Sequence, residues 1–195
     1  SHSQVLFKIK HLGISTVTGR FEKFEGTFSY DPKDVKDSKA NVTIAADSIN
    51  TNSAKRDEHL KAPDFFETAK YPQVSFVATN AKAIDATHFQ VNGDLTLHGV
   101  TKPVVLDAEL GGMVKDPWGM ERAAFTASTK ISRKDFDLTW NKALETGGLV
   151  IGDEVKIELE IEGIKQEAKA GNAPLPLSIY RPNSDPILNC IAAVN

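Results

Sequence analysis

Apolar and polar residues alternate along most of this chain with a period of two. Val5, Phe7 and Ile9 take turns with Leu6, Lys8 and Lys10; Val42, Ile44 and Ala46 with Thr43 and Ala45; Val74, Phe76 and Ala78 with Ser75 and Val77. The pattern returns over residues 89–97, 104–110 and 123–131. It is cleanest where Val155, Ile157, Leu159 and Ile161 alternate with Lys156, Glu158, Glu160 and Glu162. Because successive side chains of a pleated strand point to opposite faces, each segment predicts a strand with one apolar face.

Two stretches depart from simple alternation. In STVTGRFEKFEGTFSY (15–30) the apolar positions change parity between Phe21 and Phe24, which a regular strand cannot do without turning its core face outward. One extra residue near Glu22 and Lys23 restores the pattern, so a β-bulge is predicted there. In VNGDLTLHGVTKPVVL (91–106), Asn92 and Gly93 form a strong hairpin dipeptide. Yet Phe89, Val91, Gly93, Leu95 and Leu97 keep one parity straight through it, which predicts one strand rather than two. Gly93 is then an inward position without a side chain, and the turn falls in HGVTKP (98–103), punctuated by Gly99 and Pro103.

One segment reads as helical: NSAKRDEHLKAPDFFETAKYP (52–72), with Ser53 as N-cap, Leu60 and Phe65 or Phe66 as anchors, and Pro63 and Pro72 as breakers. Residues 1–164 then carry about eight strands with short connections and one short helical excursion. The predicted fold is all-β, an eight-stranded antiparallel up-and-down barrel; two packed sheets are the alternative. Residues 165–195, with four of the nine prolines, have no sustained period and read as a Pro-rich C-terminal tail outside the barrel domain. Leu175, Leu177, Ile179, Tyr180, Ile187 and Leu188 give that tail apolar surface for the barrel wall or for a second copy in a homodimer.

Composition narrows the function. A net charge of −3 with interspersed signs offers no basic stripe for nucleic acid and no polybasic block for an anionic membrane. The single cysteine, Cys190, supports neither a disulfide framework nor a thiolate metal site. No Gly-flanked nucleophile stands out. His11, His59, His88 and His98 are solitary rather than at metal-ligand spacing, so no metal is predicted. Asp47, Asp64, Asp94 and Asp135 lie where a site could form, but nothing positive selects them. What remains is the set of bulky apolar residues at alternating positions. Any one of them fills a core; together, in an eight-stranded barrel, they can leave an elongated apolar slot for a lipid-like ligand.

Four segments carry a resemblance: FKIKHLGISTVTGRF (7–21), ADSINTNSAKRDEHLKAPDFFETAKYPQVSF (46–76), GDLTLHGVTKPV (93–104) and ISRKDFDL (131–138). In this order and register they strongly resemble the YceI-like family. The resemblance implies a lipocalin-like barrel that binds a long polyisoprenoid or similar amphiphilic lipid as carrier or store, with no catalytic residue and no cofactor beyond the lipid. It also implies a periplasmic or secreted protein linked to isoprenoid-quinone metabolism or stress responses, with transient membrane contact. Its first strand usually starts earlier than this chain's, and it carries Gly where Asp137 stands. The expected slot-lining residues are Phe7, Ile9, Phe21, Phe76, Phe89, Leu95, Phe125, Ile131, Phe136 and Trp140. Arg20, Arg133 and Lys134, beside strand ends, are the candidates to meet a polar head group. An enzyme on an isoprenoid or quinone substrate would instead need a converging polar pair inside, such as His98 with a carboxylate. A structural or interaction module would have a solid core.

Overall fold

A computed structural model describes residues 2–31, 33–145 and 147–166, together with the main chain of Leu177–Tyr180. The strands are β1 (Gln4–His11), β2 (Ser15–Phe21), β3 (Phe24–Ser29), β4 (Lys39–Ala45), β5 (Ile49–Asn50), β6 (Gln73–Ala83), β7 (His88–Leu97), β8 (Val100–Lys115), β9 (Glu121–Ser132), β10 (Ile151–Ile164) and β11 (Leu177–Tyr180). The helix α1 spans Ala54–Lys61 between β5 and β6. All strand pairings are antiparallel, and the sheet curls in the order β3, β4, β6, β7, β8, β9, β10, β1, β2.

The parity change at Phe21 and Phe24 is what closes this sheet. β2 and β3 are one bent stave: its first half pairs with β1 from His11↔Ser15 to Val5↔Phe21, its second with β4 from Phe24↔Ile44 to Ser29↔Lys39. The break falls at Glu22 and Lys23, as the alternation predicts. Their main-chain groups are not orphaned, because Glu22 N donates to Ser48 O, Lys23 N to the buried Ser48 Oγ, and Ala45 N to Lys23 O. Counting the bent stave once, the wall has eight staves: the barrel holds and the two-sheet alternative does not.

β7 runs unbroken through Asn92 and Gly93, pairing with β6 and β8 along its length. The turn after it is tighter than the sequence suggests. His98 (φ 52°) and Gly99 (φ 74°) alone connect Leu97 to Val100, the left-handed pair a two-residue hairpin with matching twist requires. Pro103 is therefore a strand residue of β8, opposite Asp94. It is tolerated because β9 joins β8 only from Asp107↔Ser128 onward, so no ladder bond is asked of the proline on that side.

Towards that same end of the barrel β8 and β9 diverge, and a turn of 3-10 helix, Arg133–Phe136, packs against β8, β9 and β10 there. Asp137 follows in the left-handed region (φ 59°), a conformation Asp accepts better than most residues. Ser53 sits at the N-cap of α1 without a side-chain cap bond; Asp57 Oδ1 instead accepts from Thr51 N, tying the first turn of α1 to the preceding loop. The last of the eight staves ends at Ile164, as read from sequence, but the tail is not strand-free: Leu177–Tyr180 forms β11. The apolar tail positions Leu175, Ile187 and Leu188, and with them the tail-mediated homodimer, lie outside the described residues.

Candidate ligand cavity

The inward faces of the staves do not meet in the middle. They enclose a cavity of about 480 Å³, within the ~300–1,000 Å³ typical of small-molecule sites. Its walls are the alternating positions of the strands: Phe7 and Ile9 on β1, Val91 and Leu95 on β7, Val155, Ile157 and Leu159 on β10. Small residues set its width, since Ala108 and Ala127 pair across β8 and β9 and both face it. Thr129 is the one polar side chain in the β9 wall.

Polar and aromatic groups gather at the two ends. At the end formed by the β3–β4 connection, Tyr30 packs edge-on against Phe89 and Phe125, with ring centroids 5.5 and 5.4 Å away, and Phe28 meets Phe125 at 5.2 Å. Burial, then the neighbouring Asp31 carboxylate, raises the Tyr30 pKa, so the phenol stays a neutral hydrogen-bonding group. Ser38 Oγ, on the same rim, is buried and has no hydrogen-bond partner among the described residues. At the opposite end α1 and the loop after it lie over the mouth. His59 packs against Phe65 and Trp140 at 5.0 and 5.3 Å, and Phe65 against Trp140 at 5.0 Å. Leu60, Phe66 and Arg56 complete that rim.

Of the expected lining residues, Phe7, Ile9, Phe21, Phe76, Phe89, Leu95, Phe125, Ile131 and Trp140 all face the cavity. Phe136 does not. It is 1% exposed and plugs the divergence of β8 and β9, where its carbonyl accepts from the His98 ring at 3.2 Å. Alternation identifies an apolar face but does not separate a residue lining space from one filling it.

The three candidate head-group cations are placed differently. Arg20 is directed along the surface to Glu22 Oε1 at 3.0 Å, and Lys134 to Asp153 at 2.7 Å; neither lines the cavity. Arg133 does, yet its guanidinium is already engaged: Nε donates to Gly152 O at 3.0 Å, and Nη1 to Leu138 O at 2.5 Å and Trp140 O at 2.9 Å. Burial lowers its pKa, opposed by the Asp153 carboxylate. This arginine clamps the β9–β10 connection that carries Trp140.

Tyr30, Ser38 and His59 belong to the site without having been selected by the sequence pattern; Phe28, one of the bulky alternating residues, and Phe65, an anchor of the helical segment, join it without having been expected as lining. Tyr30 shares the parity of Phe24 and Phe28, so its inward direction was legible; the seating of α1 over the mouth carried no such signal. His98, half-buried beside the Tyr71 ring at 4.7 Å, lies 3.9 Å from Glu67 Oε2 but outside the cavity wall. Asp47, Asp64, Asp94 and Asp135 are exposed, and no cluster of three or more potential metal ligands occurs among the described residues. Among those residues no helix is long and apolar enough to cross a bilayer.

Comparison with known proteins agrees with this architecture. The family model for the YceI-like domain matches residues 1–163. The protein YceI of Escherichia coli O157:H7 is 45% identical over 166 residues, covering 85% of this chain and 83% of the relative. The crystal structure of the Campylobacter jejuni YceI protein superposes with a TM-score of 0.71 at 37% identity, covering 82% of this chain and 91% of that one. A polyisoprenoid binding domain from Saccharophagus degradans, implicated in plant cell wall breakdown, shares the fold at a TM-score of 0.61 and 17% identity, covering 92% and 94%.

Proposed function

The chain belongs to the YceI-like family, and on that premise we propose that it binds a long-chain polyisoprenoid or similar amphiphilic lipid inside the barrel, as a carrier or a store. The observation that carries this reading is the cavity itself: a channel of about 480 Å³ walled by hydrocarbon, with hydrogen-bonding groups confined almost wholly to its ends. That arrangement suits a molecule with a long apolar body and a polar terminus.

Removing several hundred Å² of hydrocarbon from water at ~25 cal/mol per Å² offers on the order of 10 kcal/mol gross, enough to offset much of the ~4–15 kcal/mol cost of association. Binding of this kind needs no cofactor and no catalytic group, so the protein is read as a binding protein. The fold shared with a domain named for polyisoprenoid binding supports the ligand class. The proposed setting is the periplasm or the exterior, in isoprenoid-quinone metabolism or a stress response, with brief contact at a membrane when lipid is exchanged.

Organic extraction of the purified protein, followed by mass spectrometry, tests this reading. A long-chain lipid recovered in near-stoichiometric amount supports it. Extracts without lipid, from protein that also fails to take up polyprenol, refute it.

A further inference from the structure

The barrel wall has a gap between β3 and β10, and its position follows from the bend at Glu22 and Lys23. β1 pairs with β2 no further than Val5↔Phe21 and with β10 no further than Gln4↔Glu160. Past the bend, β3 follows β4 instead, while β10 continues through residues 161–164 along β9. Just beyond Gln4, Ser3 Oγ accepts from Glu162 N and donates to Glu162 O. Past that point one edge of β3 and the last edge of β10 are left facing each other across the width of a single strand. Unpaired ladder edges are templates for another strand. The gap also borders the cavity, because Phe28 on β3 and Ile161 on β10 both line it.

β11 lies in this gap. Leu177↔Phe28, Ser178↔Thr27, Ile179↔Gly26 and Tyr180↔Glu25 pair it with β3, and Ser178 pairs with Ile164 of β10. It runs antiparallel to both banks and so in the direction of β1, with a four-residue ladder on one side and a single pair on the other. Every other full stave of the barrel is held by longer ladders on both sides.

We propose that the gap between β3 and β10 is a strand-accepting groove, that its occupant is the chain's own Leu177–Tyr180, and that this segment is a removable stave forming a side door to the cavity. Main-chain pairing supplies the attraction, as in strand addition generally, and the short covalent connection from β10 keeps the segment at high effective concentration. When it leaves, the wall opens between Phe28 on β3 and the end of β10 at Ile164. A long lipid can then slide in sideways rather than thread past the aromatic clusters at the ends. The door rests on the lipid-binding reading; the groove and its occupant do not.

The test uses the full chain with Thr27→Cys, Ser178→Cys and Cys190→Ser. Directly opposed residues of an antiparallel pair stand ~4.5–5.5 Å apart at Cα, a separation a disulfide can bridge. Oxidation is expected to give a cross-link within one chain and to slow uptake of a fluorescent long-chain fatty acid at least about tenfold, with reduction restoring the rate. A cross-link only between two chains, or none, overturns the assigned occupant. An intrachain cross-link that leaves uptake unchanged overturns the door. If neither form takes up lipid, the lipid reading and the door fall together, and cross-link yield alone still decides the groove. Hydrogen exchange on the unsubstituted chain gives a second readout: amides of residues 177–180 exchange slower than in an unstructured peptide and faster than those of β10, and exchange at the unstructured rate overturns the seating.

Discussion

The ring of Phe7 lies across Gly19 on the neighbouring strand: a β-carbon at Gly19 would stand 2.2 Å from Phe7 Cζ. The two residues are direct partners in the β1–β2 ladder. Gly93, diagonal to Phe76 across the β6–β7 ladder, makes a similar close approach, its β-carbon position lying 2.4 Å from Phe76 Cζ. In both places a glycine gives an aromatic ring room to lie along the wall. Gly19→Ala therefore pushes the Phe7 ring into the cavity. Overpacking of this sort costs about 1–3 kcal/mol, and each kcal/mol lowers Tm by about 2–4 °C in a domain of this size. Calorimetry checks the loss of stability and lipid titration the reduced capacity; an unchanged Tm with full capacity would contradict the packing.

Arg133 acts as a clamp through three main-chain carbonyls. Arg133→Met leaves those of Leu138, Trp140 and Gly152 without their donor, and leaving such groups unsatisfied costs about 1–3 kcal/mol. Urea denaturation should show a loss of at least about 2 kcal/mol. Full stability with weakened lipid binding would instead make Arg133 a ligand contact.

The β6–β7 turn carries a pH signature. Asp85 accepts from Thr87 N, the His88 ring and His88 N, and in that order these bonds hold its carboxyl below the usual range. The hydrogen bond to Asp85, then its charge, raises the His88 pKa above 6.5. A raised histidine stabilises fully below its unfolded value and loses that contribution as pH climbs through the folded one. A lowered carboxylate stabilises above its unfolded value, near 3.8, and loses that as pH falls through the folded one. The turn is therefore tightest between about pH 4 and pH 6.5. An NMR titration should place the His88 midpoint above 6.5, and Asp85→Asn should bring it down; equal midpoints in both proteins would contradict the pairing.

Met113, Val114, Trp118 and Met120 stand exposed on the β8–β9 hairpin, with Trp118 79% exposed. The loop is built to hold them out: Asp116 Oδ1 accepts from Trp118 N and Met120 N, both at 2.9 Å, while Oδ2 accepts from Arg122 Nε at 2.7 Å. Trp is favoured at membrane–water interfaces, so this tip is the expected point of the proposed membrane contact. Trp118→Asp should reduce co-sedimentation with phosphatidylcholine vesicles roughly tenfold, about 1.4 kcal/mol, without changing lipid capacity. Unaltered vesicle binding would rule out the hairpin as the contact.

Much of this architecture was legible in the sequence because alternation is a local signal with a global consequence. The parity change between Phe21 and Phe24 located the bend that closes the barrel, and constant parity through Gly93 removed a false hairpin. Features set by tertiary pairing were not legible. Pro103 sits inside a strand because β9 is absent beside it there, and Phe136 leaves the cavity because β8 and β9 diverge. The four residues of β11 carry no period long enough to recognise; they are a strand because the bend left a place for one. Arg20 and Lys134 look like free cations in sequence, and only the fold shows the carboxylates beside them.

On the proposed reading the interior holds lipid. Native mass spectrometry of the intact protein after incubation with a long-chain polyprenol measures this directly, with Ala127→Phe as control because that side chain enters the cavity from β9. The expected result is one lipid per chain for the unsubstituted protein, and for Ala127→Phe a folded protein with at least about tenfold less bound. Equal occupancy in the two proteins, or none in the first, would contradict it.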